Sequence, residues 1–188
     1  VRKCLESKAT SASGRGVCSL TMPTVRCCSM TDRTALIDAK VELRRRMRTL
    51  RRGLLGRESR SVTLWEHVRT IPEVAAADRV LSYSTIVGEP DVVTFDAWCR
   101  ERGLAVAVPE DDVGASWPDV VIVPGLAFSA DGQRLGQGGG WYDRYLARIR
   151  DDCLTIGVCF GEQLLADVPT EAHDVTLDVV VTDDGRCA

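Results

Sequence analysis

The residues with the most chemical content form one short run, Arg134-Leu135-Gly136-Gln137-Gly138-Gly139-Gly140-Trp141-Tyr142-Asp143. Four glycines fall within five positions, directly before an expected helix. Glycine lets the backbone adopt positive φ and lets a ligand approach the main chain closely. Successive amides can then line a concavity, and a helix N-terminus adds partial positive charge, which together suit phosphate. The run is not a Walker loop, because no Gly-Lys-Ser/Thr follows, and Trp141 occupies the last glycine position of a dinucleotide fingerprint. Arg134 is a permanently charged donor beside the glycines, fitted to phosphate oxygens. Asp143 lies in the first turn of the following helix, where it caps the helix or holds a magnesium that bridges phosphates. Trp141 and Tyr142 offer flat faces for a ring or for ordinary core packing. By composition alone, a flexible surface turn explains the run equally well.

The elements that must position this run can be read from hydrophobic period. Leu36, Ala39, Leu43, Met47, Leu50 and Leu54 recur at steps of three and four, predicting a helix from about Thr31 or Thr34 to Leu54 with one apolar stripe. Arg45, Arg46, Arg48, Arg51 and Arg52 are read as its solvated basic face. A second helix buries Leu64, Trp65, Val68 and Ile71, and Pro72 suits the start of a short third one. The period then changes. Val80–Ser84 and Leu104–Val108 read as strands around a helix over Asp91–Arg102 with Val93, Phe95 and Trp98 inward. Val120–Val123 is a continuous apolar run, the mark of a strand buried on both faces. Gln133–Gly140 is expected as loop, Trp141–Arg150 as helix, and Leu154–Phe160 and Val179–Thr182 as the last strands. Alternating strands and helices imply a single α/β domain over residues 30–188, with a mainly parallel sheet flanked by helices.

Composition excludes several classes. The 188 residues are 45% hydrophobic and 27% charged with a net charge of −3, a profile of neither a disordered chain nor a polyanion binder. No apolar run approaches the roughly 18 residues of a membrane span. Residues 1–29 differ from the rest: five cations against one acid, Cys4, Cys18, Cys27 and Cys28, and no hydrophobic period. They read as a disordered tail. Translation from a start upstream of Met30 explains it best, and an organelle transit peptide is a weaker match. The tail is expected to be dispensable. The cysteines lack a C-x-x-C pair or regular spacing, so reduced thiols in a cytoplasmic protein are expected. His67 and His173 lie far apart with no neighbouring Cys, which gives no zinc pattern.

Taken together, Val123-Pro-Gly-Leu-Ala-Phe, then Asp131-Gly, then Arg134-Leu-Gly-x-Gly-x-Gly-aromatic-Tyr-Asp143 resembles the signature of 5-formyltetrahydrofolate cyclo-ligases. Weaker similarity runs from Lys40 to about Asp178 in the family's order: a Lys-x-x-x-Arg helix, a Gly-Glu-x-Asp turn, the glycine loop and a His-Asp-x-x-x-Asp. The resemblance implies that Lys40 and Arg44 contact ATP, and their spacing of four puts them on one helix face. It assigns Arg134, Gly136, Gly138, Gly139, Gly140 and Tyr142 to the nucleotide, with Arg134 as the catalytic cation. It assigns Glu89 and Trp141 to the folate, and magnesium to Asp143 and Asp174. His173 and Asp178 flank that site and are first taken as structural.

The implied reaction converts 5-formyltetrahydrofolate and ATP to 5,10-methenyltetrahydrofolate, ADP and phosphate, with Mg2+ as cofactor. The implied partners are the two small molecules, with no nucleic acid, no membrane and a monomeric chain. Three departures from the family pattern stand out. Gln137 and Gly139 replace positions that are basic in some members, Trp141 replaces a tyrosine, and the Val108–Asp119 connection is short. The alternative is therefore a nucleotide- or folate-binding homologue that has lost turnover with the shortened stretch.

Overall fold

The computed structural model describes residues 30–187. The reading of residues 1–29 as a tail lies outside the described residues. Helices α1 (Met30–Gly53), α2 (Arg57–Arg69) and α3 (Pro72–Ala75) precede strand β1 (Arg79–Leu81). Helix α4 (Val93–Glu101), strands β2 (Ala105–Ala107) and β3 (Val120–Pro124), and the short strands β4 (Ala127–Ser129) and β5 (Arg134–Leu135) follow. Helix α5 (Trp141–Leu146), then β6 (Leu154–Val158), β7 (Leu164–Leu165), β8 (Val179–Thr182) and β9 (Gly185–Cys187) complete the described chain.

The main sheet has the order β2-β1-β3-β6-β8-β9, parallel except for the β8–β9 hairpin. Its central strands β3, β6 and β8 are buried along almost their whole length because both faces are covered. On β3, Val120 and Ile122 point to one core with Leu64, Trp65, Val68, Val74 and Phe95 from α2, α3 and α4. Val121 and Val123 point to the opposite core with Phe128, Tyr145 and Leu146. Trp65 anchors the first core, stacked on Phe95 at 4.6 Å between ring centroids. A second sheet, β5-β4-β7, was not read from the sequence. Its Leu126, Ala127 and Leu135 pack with Met47 of α1 and Val168. So α1 sits on the small sheet, and its other contacts reach the loops around it.

Several expectations need correction. Val93 is 66% exposed, because α4 begins there and Val92 takes the inward position. Trp98 is only half-buried, and Asp96 and Cys99 join Phe95 on the inward side. Helix α5 stops at Leu146 instead of Arg150, the chain leaving through turns at Arg148 and Ile149. Arg134 lies on β5 and not in the loop, because Asp131-Gly132 closes a hairpin with β4. Gly132 (φ +83°) is required there: a Cβ would sit 2.1 Å from the Leu177 carbonyl oxygen. On α1, Ala39 is exposed, and the inward line is Lys40, Arg44, Met47 and Arg51. Arg51 is 3% exposed, not solvated.

Asp119 fastens the sheet at the end remote from these loops. It accepts from the Asp78 and Arg79 amides and from the Arg79 and Arg150 guanidinium groups. The hydrogen bond from Arg79, followed by those from Arg150 and the Asp78 amide, outweighs partial burial and holds this carboxyl well below the usual range. A depressed carboxylate stabilises the fold above its unfolded pKa of about 3.9, and the contribution is lost as pH falls through the folded value. Asp119→Asn should therefore cost about 1–2 kcal/mol at pH 7, with the deficit shrinking toward pH 2. Urea unfolding at the two pH values checks this.

Candidate active site

In a doubly wound sheet, ligands bind beyond the carboxyl ends of the strands where the strand order reverses. Here β2 lies on one side of β1 and β3 on the other, so the reversal falls between β1 and β3. A cavity of about 340 Å³ opens at that point, lined by Lys40, Arg44, Glu89, Pro124, the run from Arg134 to Asp143, Glu171, His173 and Asp174. Every residue assigned to the site from the sequence therefore faces one cavity, although they come from α1, the turn after β1, β5, α5 and the segment before β8. A second cavity of about 440 Å³ meets the first at Glu89, Pro124, Gln137, Trp141 and Tyr142. Tyr83, Ile86 and Pro109 give it a more apolar wall.

The loop is built as the glycine pattern requires. Gly138 (φ +109°) and Gly140 (φ +63°) occupy the left-handed region, where a side chain would be strained. The Gly138 and Gly139 amides donate to no group among the described residues. Carbonyls of the loop instead hold it to α1: Arg44 Nε donates to Gly136 O (3.1 Å), and Arg48 Nη2 to Gln137 O (3.1 Å). Trp141 stacks on Tyr145 (4.8 Å, 13°) and meets Tyr142 edge-on. One face of the Trp141 indole thus serves packing while the residue stays partly exposed.

Cations and carboxylates in the cavity are paired with each other. Arg134 Nη2 donates to Asp143 Oδ1 at 2.7 Å, and its guanidinium lies 5.4 Å from the Tyr142 ring centroid. Lys40 Nζ donates to Asp174 Oδ2 (2.6 Å) and Glu171 Oε2 (2.8 Å). Burial pulls the Lys40 ammonium down, but its bonds to Asp174 and Glu171 leave it net above its ordinary value. Burial pushes the Asp174 carboxyl up, and the Lys40 bond and the Glu171 amide bring it net below. The Lys40 bond lowers Glu171 as well. Burial dominates at Glu89 and raises its carboxyl despite Arg51 nearby. Burial also raises the Tyr142 phenol, keeping it a neutral donor.

For a divalent cation, the close group among the described residues is Glu171, His173 and Asp174, whose ligand atoms lie within 4.8 Å of one another. Asp143 is not part of that group and lines the same cavity with Arg134. Carboxylate oxygens beside a phosphate-sized cavity fit Mg2+, which takes one or two carboxylates and completes its shell with phosphate and water. Asp178 is structural: its carboxylate accepts from the Thr155 amide and hydroxyl. The sequence reading missed Glu171, Arg51, Tyr83 and Glu110. Glu171 carried a weak signal, since it stands three residues before Asp174 and its amide donates to that carboxylate (2.7 Å). Among the described residues Cys99, Cys153, Cys159 and Cys187 are free thiols, the first three buried. No described helix is long and apolar enough to cross a membrane.

Fold and site together define a doubly wound α/β protein with a cavity of paired cations and carboxylates at its switch point. Residues 109–183 match the sequence model of the 5-formyltetrahydrofolate cyclo-ligase family. The Escherichia coli K12 5-formyltetrahydrofolate cyclo-ligase is 43% identical over 84 residues, covering 42% of this chain and 46% of that protein. The mouse enzyme of the same name is 36% identical over 81 residues, covering 41% and 40%. The chain thus spans less than half the length of these curated relatives. The 5,10-methenyltetrahydrofolate synthetase of Aquifex aeolicus superposes with a TM-score of 0.68 at 26% identity, over 78% of this chain and 91% of that one. The Mycoplasma pneumoniae synthetase shares the fold at a TM-score of 0.65 and 21% identity, over 77% and 98%. Over residues 109–183, two fifths of its length, the chain is similar to the 5-formyltetrahydrofolate cyclo-ligase family.

Proposed function

We propose that the chain cyclises 5-formyltetrahydrofolate to 5,10-methenyltetrahydrofolate with conversion of ATP to ADP and phosphate. The observation that carries this reading is the junction of two cavities of different chemistry at Glu89, Trp141 and Tyr142. One is walled by cations, glycines and carboxylates and suits a triphosphate. The other offers Tyr83, Ile86, Pro109 and Trp141 to a flat heterocycle. The short 108–119 connection still contributes Pro109 and Glu110 to that wall, which favours turnover over a purely binding role.

In this reading Lys40, Arg44, Arg134 and the loop amides hold the phosphates, and Glu89 and Trp141 orient the pterin. The γ-phosphoryl passes to the formyl oxygen, ADP departs, the second folate nitrogen attacks the formyl carbon, and the carbon–oxygen bond breaks to release phosphate. Such a sequence needs positioning and charge neutralisation more than a protein nucleophile. No thiol is called on: burial pushes Cys99 up to about 12 and Cys153 up to about 11. Asp174, with Glu171 beside it, and Asp143 in the lining of the same cavity are the residues that would hold magnesium, which when bound neutralises phosphate charge. The phosphates and magnesium would exchange partners with the ion pairs: cations turn to phosphate as carboxylates turn to the metal. We propose that the chain acts as a monomer in the cytoplasm, where thiols such as Cys99, Cys153 and Cys159 stay reduced.

The test follows methenyl product absorbance with purified chain, 5-formyltetrahydrofolate, ATP and magnesium. Product that requires both ATP and magnesium is expected. ATP binding without product at saturating substrates would replace this reading with that of a binding homologue.

A further inference from the structure

Arg51 lines neither of the two cavities. It is 3% exposed at the inward end of α1, yet its neighbours are polar. Its Nε donates to Gly88 O (3.0 Å) and its Nη2 to Val87 O (3.2 Å), and the same Nη2 lies 3.4 Å from Glu89 Oε1. One guanidinium thus spans three consecutive residues of the turn after β1. Gly88 permits this approach, because a Cβ there would come within 3.2 Å of Arg51 Cβ and Nε. The Ile86 amide donates to the other carboxylate oxygen, Oε2, at 3.3 Å. Glu89, itself 7% exposed, is therefore held from both sides at the point where the two cavities meet.

We propose that Arg51 is a positioning residue for the folate substrate, fixing the Glu89 carboxylate in its ionised form and aiming it at the pterin's N–H donors. This rests on the reading of Glu89 as the folate contact. A buried carboxylate accepts hydrogen bonds from ligand donors well only while it stays charged, and a buried carboxylate without a counter-ion takes up a proton. The other groups facing Glu89 do not supply positive charge. Tyr83 and Tyr142 are neutral phenols, and Gln137 of the glycine loop is an uncharged amide. Lys40 and Arg134, the cations of the first cavity, are already committed to carboxylates. Arg44 and Arg48 donate to loop carbonyls.

The experiment measures calorimetric affinity for 5-formyltetrahydrofolate and, separately, for ATP at pH 7 and pH 9. The unmodified chain should bind folate with little change between the two. Arg51→Met should bind it about tenfold more weakly at pH 7, where a buried Glu89 without its counter-ion carries a proton, and recover most of that loss at pH 9 as Glu89 ionises. Arg51→Lys should fall between. Glu89→Gln should be weak at both pH values, and adding Arg51→Met to it should change little. ATP affinity should stay level throughout. A loss in Arg51→Met that is equal at both pH values, or that extends to ATP, would show Arg51 as a mere brace for the turn and overturn the proposal. So would unaltered folate affinity in Arg51→Met. Failure of the unmodified chain to bind folate would instead remove the substrate reading and this inference with it.

Discussion

Replacing Arg134 by methionine should lower kcat by on the order of 10²–10³, the usual cost of losing one fixed donor to charge that develops in a transition state. Nucleotide affinity should fall less, by about 1–3 kcal/mol. The difference follows from how the side chain is held. Arg134 is 7% exposed, it stands on a strand, and its stem passes Gly125, where a Cβ would approach Arg134 Cγ to 3.1 Å. Asp143 and the Tyr142 ring fix the guanidinium plane, and its buried Nε has no partner among the described residues. A group fixed before the reaction needs no reorganisation when charge builds up, whereas ground-state phosphate finds Lys40, Arg44 and the loop amides as well. Arg134→Lys should not restore the rate, because an ammonium cannot fork between Asp143 and a phosphoryl oxygen. Single-turnover rates with calorimetric ATP affinity separate the two effects. A kcat within threefold of the unmodified chain would exclude Arg134 from the chemistry.

Lys40→Met should both destabilise the fold and make it respond to magnesium. Lys40 is 5% exposed and joins α1 to the segment carrying Glu171 and Asp174. Its removal leaves two carboxylates facing each other. Breaking a fully buried pair costs 3–5 kcal/mol; here the acids retain some solvent, so about 2–3 kcal/mol is expected. The sign with pH can be worked out. The carboxylates lie below their ordinary 3.8 and 4.5, so their contribution is present above those values and is lost as pH falls through the folded ones. The ammonium lies above its ordinary 10.5, so its contribution is full below that value and is lost as pH rises through the folded one. Between about pH 5 and 10 the unmodified chain keeps the whole contribution. The variant should regain stability below pH 5, where one carboxyl protonates, and in millimolar magnesium, which substitutes for the ammonium. Thermal unfolding with and without magnesium checks both. A magnesium-independent Tm shift would separate the Lys40 cluster from any metal role.

Much of the architecture was legible because burial writes a period into the sequence. The run Val120–Val123 announced a strand covered on both faces, and Leu64, Trp65 and Val68 announced the face of α2 that covers one of them. Four glycines before Trp141 announced a loop whose backbone takes positive φ, since other residues are strained there. Those signals are local, and so was the family resemblance carried by Arg134 to Asp143. The small sheet was not legible, because β5 and β7 have two residues each, too few for any alternation to register.

The inward face of α1 was misread for a different reason. Period predicts which residues are buried only where the partner surface is apolar. Below Met47 the partner is apolar, being Leu126, Ala127 and Leu135 of the small sheet and its approach. Toward Lys40 it is a pair of carboxylates, and toward Arg51 it is a turn of carbonyls ending in Glu89. Charged residues on that helix are therefore inside wherever the facing element supplies acceptors. No residue of the helix encodes what faces it. The sequence alone determined the strand and helix content, the glycine loop and the types of charge available to it. Only the tertiary structure decided that Lys40, Arg44, Glu89, Arg134, Asp143 and Asp174 share one cavity and which cation pairs with which acid, because elements 131 residues apart in the chain, as Lys40 and Glu171 are, meet only when the sheet order brings them together.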